Sequence, residues 1–199
     1  MTGTYEWNPM PHKVDIRCPS CGHHAEFEFA EVVRIELKKD IGFFDESDLF
    51  DYKVFKDSSG HRWHGALYYA GLHGGTVAAI RDLPDCYKPE DWCHSQYLYR
   101  SHGLDIGSVI CRKCHLMRKH QLSWPAEAYF SIDYRGKQLW AFDRESAIEL
   151  KQFIASNDRN VDAYRWRNFL LHVPSEFKQK KAREHVVKQL GRMLEETRL

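Results

Sequence analysis

The chain has 199 residues, 43% hydrophobic and 14% aromatic, with a net charge of only +1. That composition excludes a disordered chain, and the length allows one good core, or one domain carrying a sizeable insertion. No apolar run approaches the roughly 18 residues that span a bilayer, and the opening MTGTYEWNPMPHK lacks the apolar core of a secretory signal, so the expected setting is cytoplasmic with no membrane partner.

In chain order, residues 1–17 read as a lead-in strand or arm that ends at Cys18-Pro19-Ser20-Cys21, with Gly22 suited to a turn of positive φ. From Ala25 to Leu37 partial alternation, with Phe27 and Phe29 on one face, predicts a strand or two short ones. An acidic loop from Asp40 to Asp51 follows. Tyr52–Phe55 and Trp63–Tyr69 flank the turn sequence Asp57-Ser58-Ser59-Gly60, which predicts a β-hairpin. Gly71–Gly75 reads as a further turn, and 81–107 as irregular.

Behind Cys114 the patterns are sharper. Ala128–Tyr134 and Lys137–Phe142 are strands around the two-residue loop Arg135-Gly136, with Ile132 opposite Leu139 and Phe130 opposite Ala141. Asp143 is placed to N-cap a helix whose Ala147, Leu150 and Ile154 form a stripe beside Phe153. A second helix is expected over Val161–Leu171, ending ahead of Pro174, and a third from Gln179 onward with Ala182, Val186, Leu190 and Met193/Leu194 at helical spacing. The fold class is α+β. The expected organisation is a knuckle domain over 1–126 with an insertion at about 40–105, then a hairpin and helical unit over 127–199, packed as one globule.

The chemistry concentrates in two C-x-x-C pairs, Cys18/Cys21 and Cys111/Cys114. Each spacing lets two thiolates of one tight turn reach the same ion, and two such turns complete a tetrahedral, closed zinc site. The 89 residues between the pairs are far more than such sites ordinarily carry. A redox dithiol is the alternative, but those occur singly at strand-to-helix junctions. The paired knuckles resemble the zinc-ribbon superfamily, in which two turns at the tips of β-hairpins share one zinc. The resemblance implies a structural Zn²⁺ and a binding module of nucleic-acid-processing or adaptor proteins, without catalytic residues.

Val109–Lys119 also resembles the closing segment of HNH endonucleases, where C-x-x-C-H-x-x-K opens the final helix. His115 would then be the counterpart of a catalytic metal ligand. The chain has no Asp-His pair to supply a further ligand and a base, and no Asn just upstream of Cys111, although that chemistry needs both a metal and an activated water. Three weaker groupings are Cys86/Cys93/His94 with His102 as a second metal site, His61 with His64, and Glu36-Leu37-Lys38 with Asp15 upstream. On a strand, His61 and His64 fall on opposite faces. No P-loop, GxGxxG, GxSxG or HExxH pattern is present.

Charge is distributed unevenly. Glu26–Asp57 holds ten acidic and five basic residues, whereas Ile106–Ala126 holds Arg112, Lys113, Arg118 and Lys119 with two histidines and no acid. The last 25 residues carry seven Lys or Arg against four Glu, among them Lys180, Lys181, Arg183 and Lys188. Those eight named cations are the expected phosphate contacts of a nucleic-acid-binding protein. The same charges also suit neutralisation of a Zn²⁺–thiolate site of net charge −2. A protein partner docking on the acidic, aromatic insertion is the alternative. Trp63, Tyr68, Tyr69, Trp92, Tyr97, Tyr99 and Arg100 suit either a core or base stacking.

Overall fold

A computed structural model describes residues 10–57, 59–88, 92 and 105–197. Two hairpins form its centre. Strands β1 (Lys13–Arg17) and β2 (His24–Phe29) flank the first C-x-x-C, and β6 (Ile106–Cys111) and β7 (Leu116–Gln121) flank the second. All pair antiparallel in the order β1-β2-β6-β7, with Phe27 opposite Val109 across the central join. Period-two alternation sends Val14, Ile16, Ala25, Phe27, Phe29 and Val109 to the buried face and Lys13, Glu26 and Glu28 to the other.

The chain leaves this sheet after Phe29 and re-enters at Ile106. In between, β3 (Glu31–Arg34), β4 (Phe50–Lys56) and β5 (Arg62–Tyr68) make a second sheet in the order β3-β5-β4, with short helices α1 (Ile41–Glu46) and α2 (Ala70–His73). The expected hairpin around Asp57–Gly60 is β4–β5. The excursion begins ten residues ahead of residue 40, because the apolar run 25–37 divides at Ala30 and its second half pairs with β5, Val32 opposite Leu67. Its core is aromatic: Phe44 packs edge-on against Tyr87, and Trp92 stacks on Phe50 at 5.7 Å.

Helix α2 rests on the polar face of the first sheet. A Cβ on Gly71 would lie 2.6 Å from Ser108 Oγ and 3.0 Å from Glu28 Oε2, so the backbone approaches where only glycine fits without adjustment.

The C-terminal third follows the sequence closely. β8 (Ser131–Tyr134) and β9 (Lys137–Trp140) pair with Ile132 opposite Leu139, and the Ala141 N–H donates to Phe130 O. Arg135 and Gly136 both take positive φ, 51° and 74°, as a tight hairpin loop of matching twist requires. Helix α3 (Arg144–Ala155) is N-capped by Asp143, whose carboxylate accepts from Ser146 N–H at 2.7 Å while Ser146 Oγ accepts from Asp143 N–H at 3.0 Å. Asp143→Ala removes one half of this reciprocal cap, and a loss of about 1 kcal/mol is expected in a denaturant titration.

The helix expected over 161–171 is instead two pieces, a 3-10 turn at Val161–Ala163 and α4 (Arg167–Leu171). Glu149 of α3 explains the break, because its two carboxylate oxygens accept from the N–H groups of Arg165 and Trp166 at 3.2 and 2.8 Å. Helix α5 (Lys180–Glu196) packs on α3 with Ala182, Val186, Leu190 and Leu194 buried. Ribbon residues Phe27 and Val109 share one apolar cluster with Trp140, Phe142, Phe153 and Phe169. Sheets in the first part and helices toward the end make this an α+β fold.

Candidate metal centre

Each cysteine pair sits in the turn of its own hairpin, and pairing of β2 with β6 sets the two turns side by side. The four sulfurs of Cys18, Cys21, Cys111 and Cys114 lie within 4.8 Å of one another. Cys18 Sγ is 3.6 Å from Cys114 Sγ, and Cys21 Sγ is 3.7 Å from Cys111 Sγ. A tetrahedron with metal–sulfur bonds of about 2.3 Å has edges of about 3.8 Å, so the cluster has the size that a four-thiolate ion needs. Soft sulfur donors in tetrahedral number suit zinc among divalent ions.

The first turn is built locally. Cys18 N–H donates to His23 O at 2.7 Å, Gly22 N–H donates to Cys18 O at 2.9 Å, and Gly22 takes φ 73°. Ser20 N–H points at Cys18 Sγ at 3.4 Å. In the second turn the positive φ falls on His115, at 58°. Burial opposes ionisation of Cys18, but N–H donors of Cys21 and Ser20 and the thiols of Cys114 and Cys21 outweigh it and bring the group down to about 7. The His23 N–H favours a thiolate on Cys21, yet burial and the three neighbouring cysteines push it up to about 12. Crowding four sulfurs makes one thiolate easy and the next costly, a conflict that a cation resolves. An ion held by all four sulfurs would keep no coordination position open to a substrate.

Among the described residues this is the only group of three or more His, Cys, Asp or Glu placed to hold a metal. Cys86 is exposed, while Cys93, His94, His102, Tyr97, Tyr99 and Arg100 lie outside the described residues. His64 Nδ1 meets Tyr52 Oη at 2.5 Å and His61 lies beside Asp57 at 3.5 Å, so those two histidines have separate partners. Asp15 bonds His24 at 2.8 Å, and Glu36 lies beside Arg34. The segment after Cys114 continues as strand β7, where the HNH likeness requires a helix, and His115 is exposed in the turn.

The predicted basic residues fall into three situations. Arg112, Lys113 and Arg118 are exposed on the second turn and the start of β7, with no ion pair among the described residues. Lys119 is held: its ammonium bonds Asp51 at 2.5 Å and lies 4.9 Å over the Tyr69 ring. Burial pushes the Tyr69 phenol up, and Asp51 adds to the effect. Lys180, Lys181 and Lys188 are exposed on α5, while Arg183 bonds Asn157 at 2.9 Å. The far end of α5 is the one near the metal turns, since Glu196 bonds Tyr129, whose ring meets His24 at 5.0 Å. A 17-residue helix is about 25 Å long, so Lys180 and Lys181 stand well away from Arg112.

Nothing local in the sequence marks the tie between Lys119 and Asp51, and only the glycine itself marks the close approach at Gly71.

No protein-family model, curated protein or solved structure matches this chain. The paired turns at the tips of adjacent hairpins are consistent with a zinc-ribbon motif. No described helix is long and apolar enough to cross a membrane.

Proposed function

We propose that this chain is a non-enzymatic protein clasped by one structural Zn²⁺, and that it binds nucleic acid with the metal end of its ribbon. One observation carries the reading. Residues 17–23 and 112–118 present Arg17, Arg112, Lys113 and Arg118, all exposed, with His23 and His115 and no carboxylate. Four thiolates and one Zn²⁺ leave −2 at the centre, and the four cations exceed it. The ribbon sheet holds these charges at fixed positions across one end, with Arg17 on one outer strand and Arg118 on the other, which suits a phosphate backbone. Lys119, being occupied by Asp51, is left out of the contact set, and the α5 lysines form a separate patch.

Fluorescence anisotropy with a labelled duplex tests the reading. Affinity should fall with salt along a log–log line of about −0.9 per phosphate neutralised, and each of Arg112→Ala, Lys113→Ala and Arg118→Ala should flatten that slope by about one. No binding at low salt sinks the proposal.

A second reading, a protein adaptor, draws on the insertion. Phe43 and Leu49 are exposed at 36% and 40% beside Asp45, Glu46 and Asp48, which have no ion pair among the described residues. An exposed aromatic and an exposed leucine set among acids suit a basic partner surface. Recovery of a stoichiometric protein partner, lost in Phe43→Ala, would favour it over the first.

A further inference from the structure

The four sulfurs are not equivalent. Cys18 and Cys111 are 3% and 1% exposed and Cys21 is half-buried, whereas Cys114 is open to solvent. The first knuckle shields Cys18 further, because the Ser20 N–H points at its sulfur at 3.4 Å. Such donors draw charge from a thiolate and blunt it as a nucleophile. No backbone N–H bonds Cys114 Sγ among the described residues, and exposed Arg112, Lys113 and His115 surround it in sequence. Exposure, an undamped sulfur and a positive setting together mark a reactive thiolate.

We propose that Cys114 is the modification site of the clasp, the sulfur at which peroxides and soft electrophiles enter, with Cys18 as its resolving partner. The inference rests on the metal reading above, since a bound cation is what keeps the four sulfurs deprotonated. The Cys114 thiolate attacks one oxygen of hydrogen peroxide, the O–O bond breaks, hydroxide leaves, and a sulfenic acid results. The Cys18 thiolate, 3.6 Å away, then attacks that sulfur, the S–S bond forms, the S–O bond breaks and a second hydroxide leaves. Two thiolates have together lost two electrons to one peroxide. The sulfurs need close by only about 1.5 Å to reach a disulfide. Cys21 and Cys111 alone do not retain the ion, so the second knuckle is unfastened and Arg112 and Lys113 lose their fixed positions.

The experiment uses the full chain loaded with Zn²⁺. Metal content is measured first, then release into a chromogenic chelator on titration with hydrogen peroxide, then the cross-link by peptide mass mapping. A parallel sample receives limiting N-ethylmaleimide, with exposed Cys86 as the internal reference for an unshielded thiol. The expected result is one zinc released per peroxide consumed, a Cys18–Cys114 disulfide, and Cys114 labelled ahead of Cys18, Cys21 and Cys111. Labelling spread evenly over the four, or a cross-link lacking Cys114, overturns this inference while leaving the clasp intact. A chain that holds no zinc before any oxidant overturns the clasp and the inference with it.

Discussion

Removing the metal should unfold the ribbon. Structural zinc contributes an apparent 10–16 kcal/mol in small zinc-dependent peptides, roughly the whole stability of an ordinary domain at about 5–15 kcal/mol. Here the ligands are spliced into the main core, because Cys18 and Cys111 belong to the same buried cluster as Phe27, Val109 and Trp140. A strong chelator is therefore expected to lower the melting temperature of the whole chain by tens of degrees, followed by circular dichroism. Cys111→Ser should arrive without metal and behave like the stripped protein. Because the ligands must be deprotonated, zinc affinity should also fall as pH is lowered. A melting curve indifferent to the chelator would refute a structural role for the ion.

The second large effect is expected at a glycine. A Cβ on Gly107 would stand 2.1 Å from the carbonyl oxygen of Glu28, 2.6 Å from Phe27 Cζ and 2.9 Å from the Glu28 carbonyl carbon. Two of those atoms are backbone in the β2–β6 ladder, where Phe29 is opposite Gly107 and Glu28 opposite Ser108, so they cannot rotate aside. Gly107→Ala must pry β6 from β2, at a cost above the about 1–3 kcal/mol usual for overpacking. The damage travels, since Cys111 is the last residue of the same strand. Lower zinc stoichiometry together with a lower denaturant midpoint is the expected pair of results. Gly71→Ala is the useful contrast. Its close neighbours Ser108 Oγ and Glu28 Oε2 are side-chain atoms that can turn away, and a smaller loss without metal release is expected. Equal midpoints for Gly107→Ala and the parent protein would show that the join is looser than the geometry says.

What could be read from the sequence was what is decided over a few residues. The cysteine spacings, the Arg135-Gly136 loop with its register and the Asp143 cap each depend on local stereochemistry, and each stands where expected. What was hidden depends on partners far along the chain. The run from Ala25 to Leu37 can be read as two short strands, but nothing in it announces that they enter different sheets, because the strands that separate them, β6 and β5, lie more than 30 residues away. The break in the helix over 161–171 comes from Glu149, whose carboxylate replaces the N–H partners a continuous helix would have used. The cysteine cluster was legible as four residues but not as four unequal ones, since exposure of Cys114 is a property of the assembled tip. The basic segment likewise showed its charges without showing that Lys119 is spent on an acid 68 residues earlier.

The pairing of Ala30 N–H with Ile106 O, at 2.9 Å, bears on how the molecule assembles. Two cysteine pairs separated by 89 residues would have to find each other by diffusion of a long chain. The excursion contains the adjacent β4–β5 hairpin, a contact of short range that forms early, with β3 laid beside β5. Once formed, it holds Glu31 opposite Tyr68, and the loop left to close between the two cysteine pairs shortens to about fifty residues. That reduction, less than one halving of length, saves roughly 0.5 kcal/mol of closure entropy. The insertion then works as a splint for folding: metal capture should be the late step, and its rate should track the stability of a sheet that contains none of the ligands.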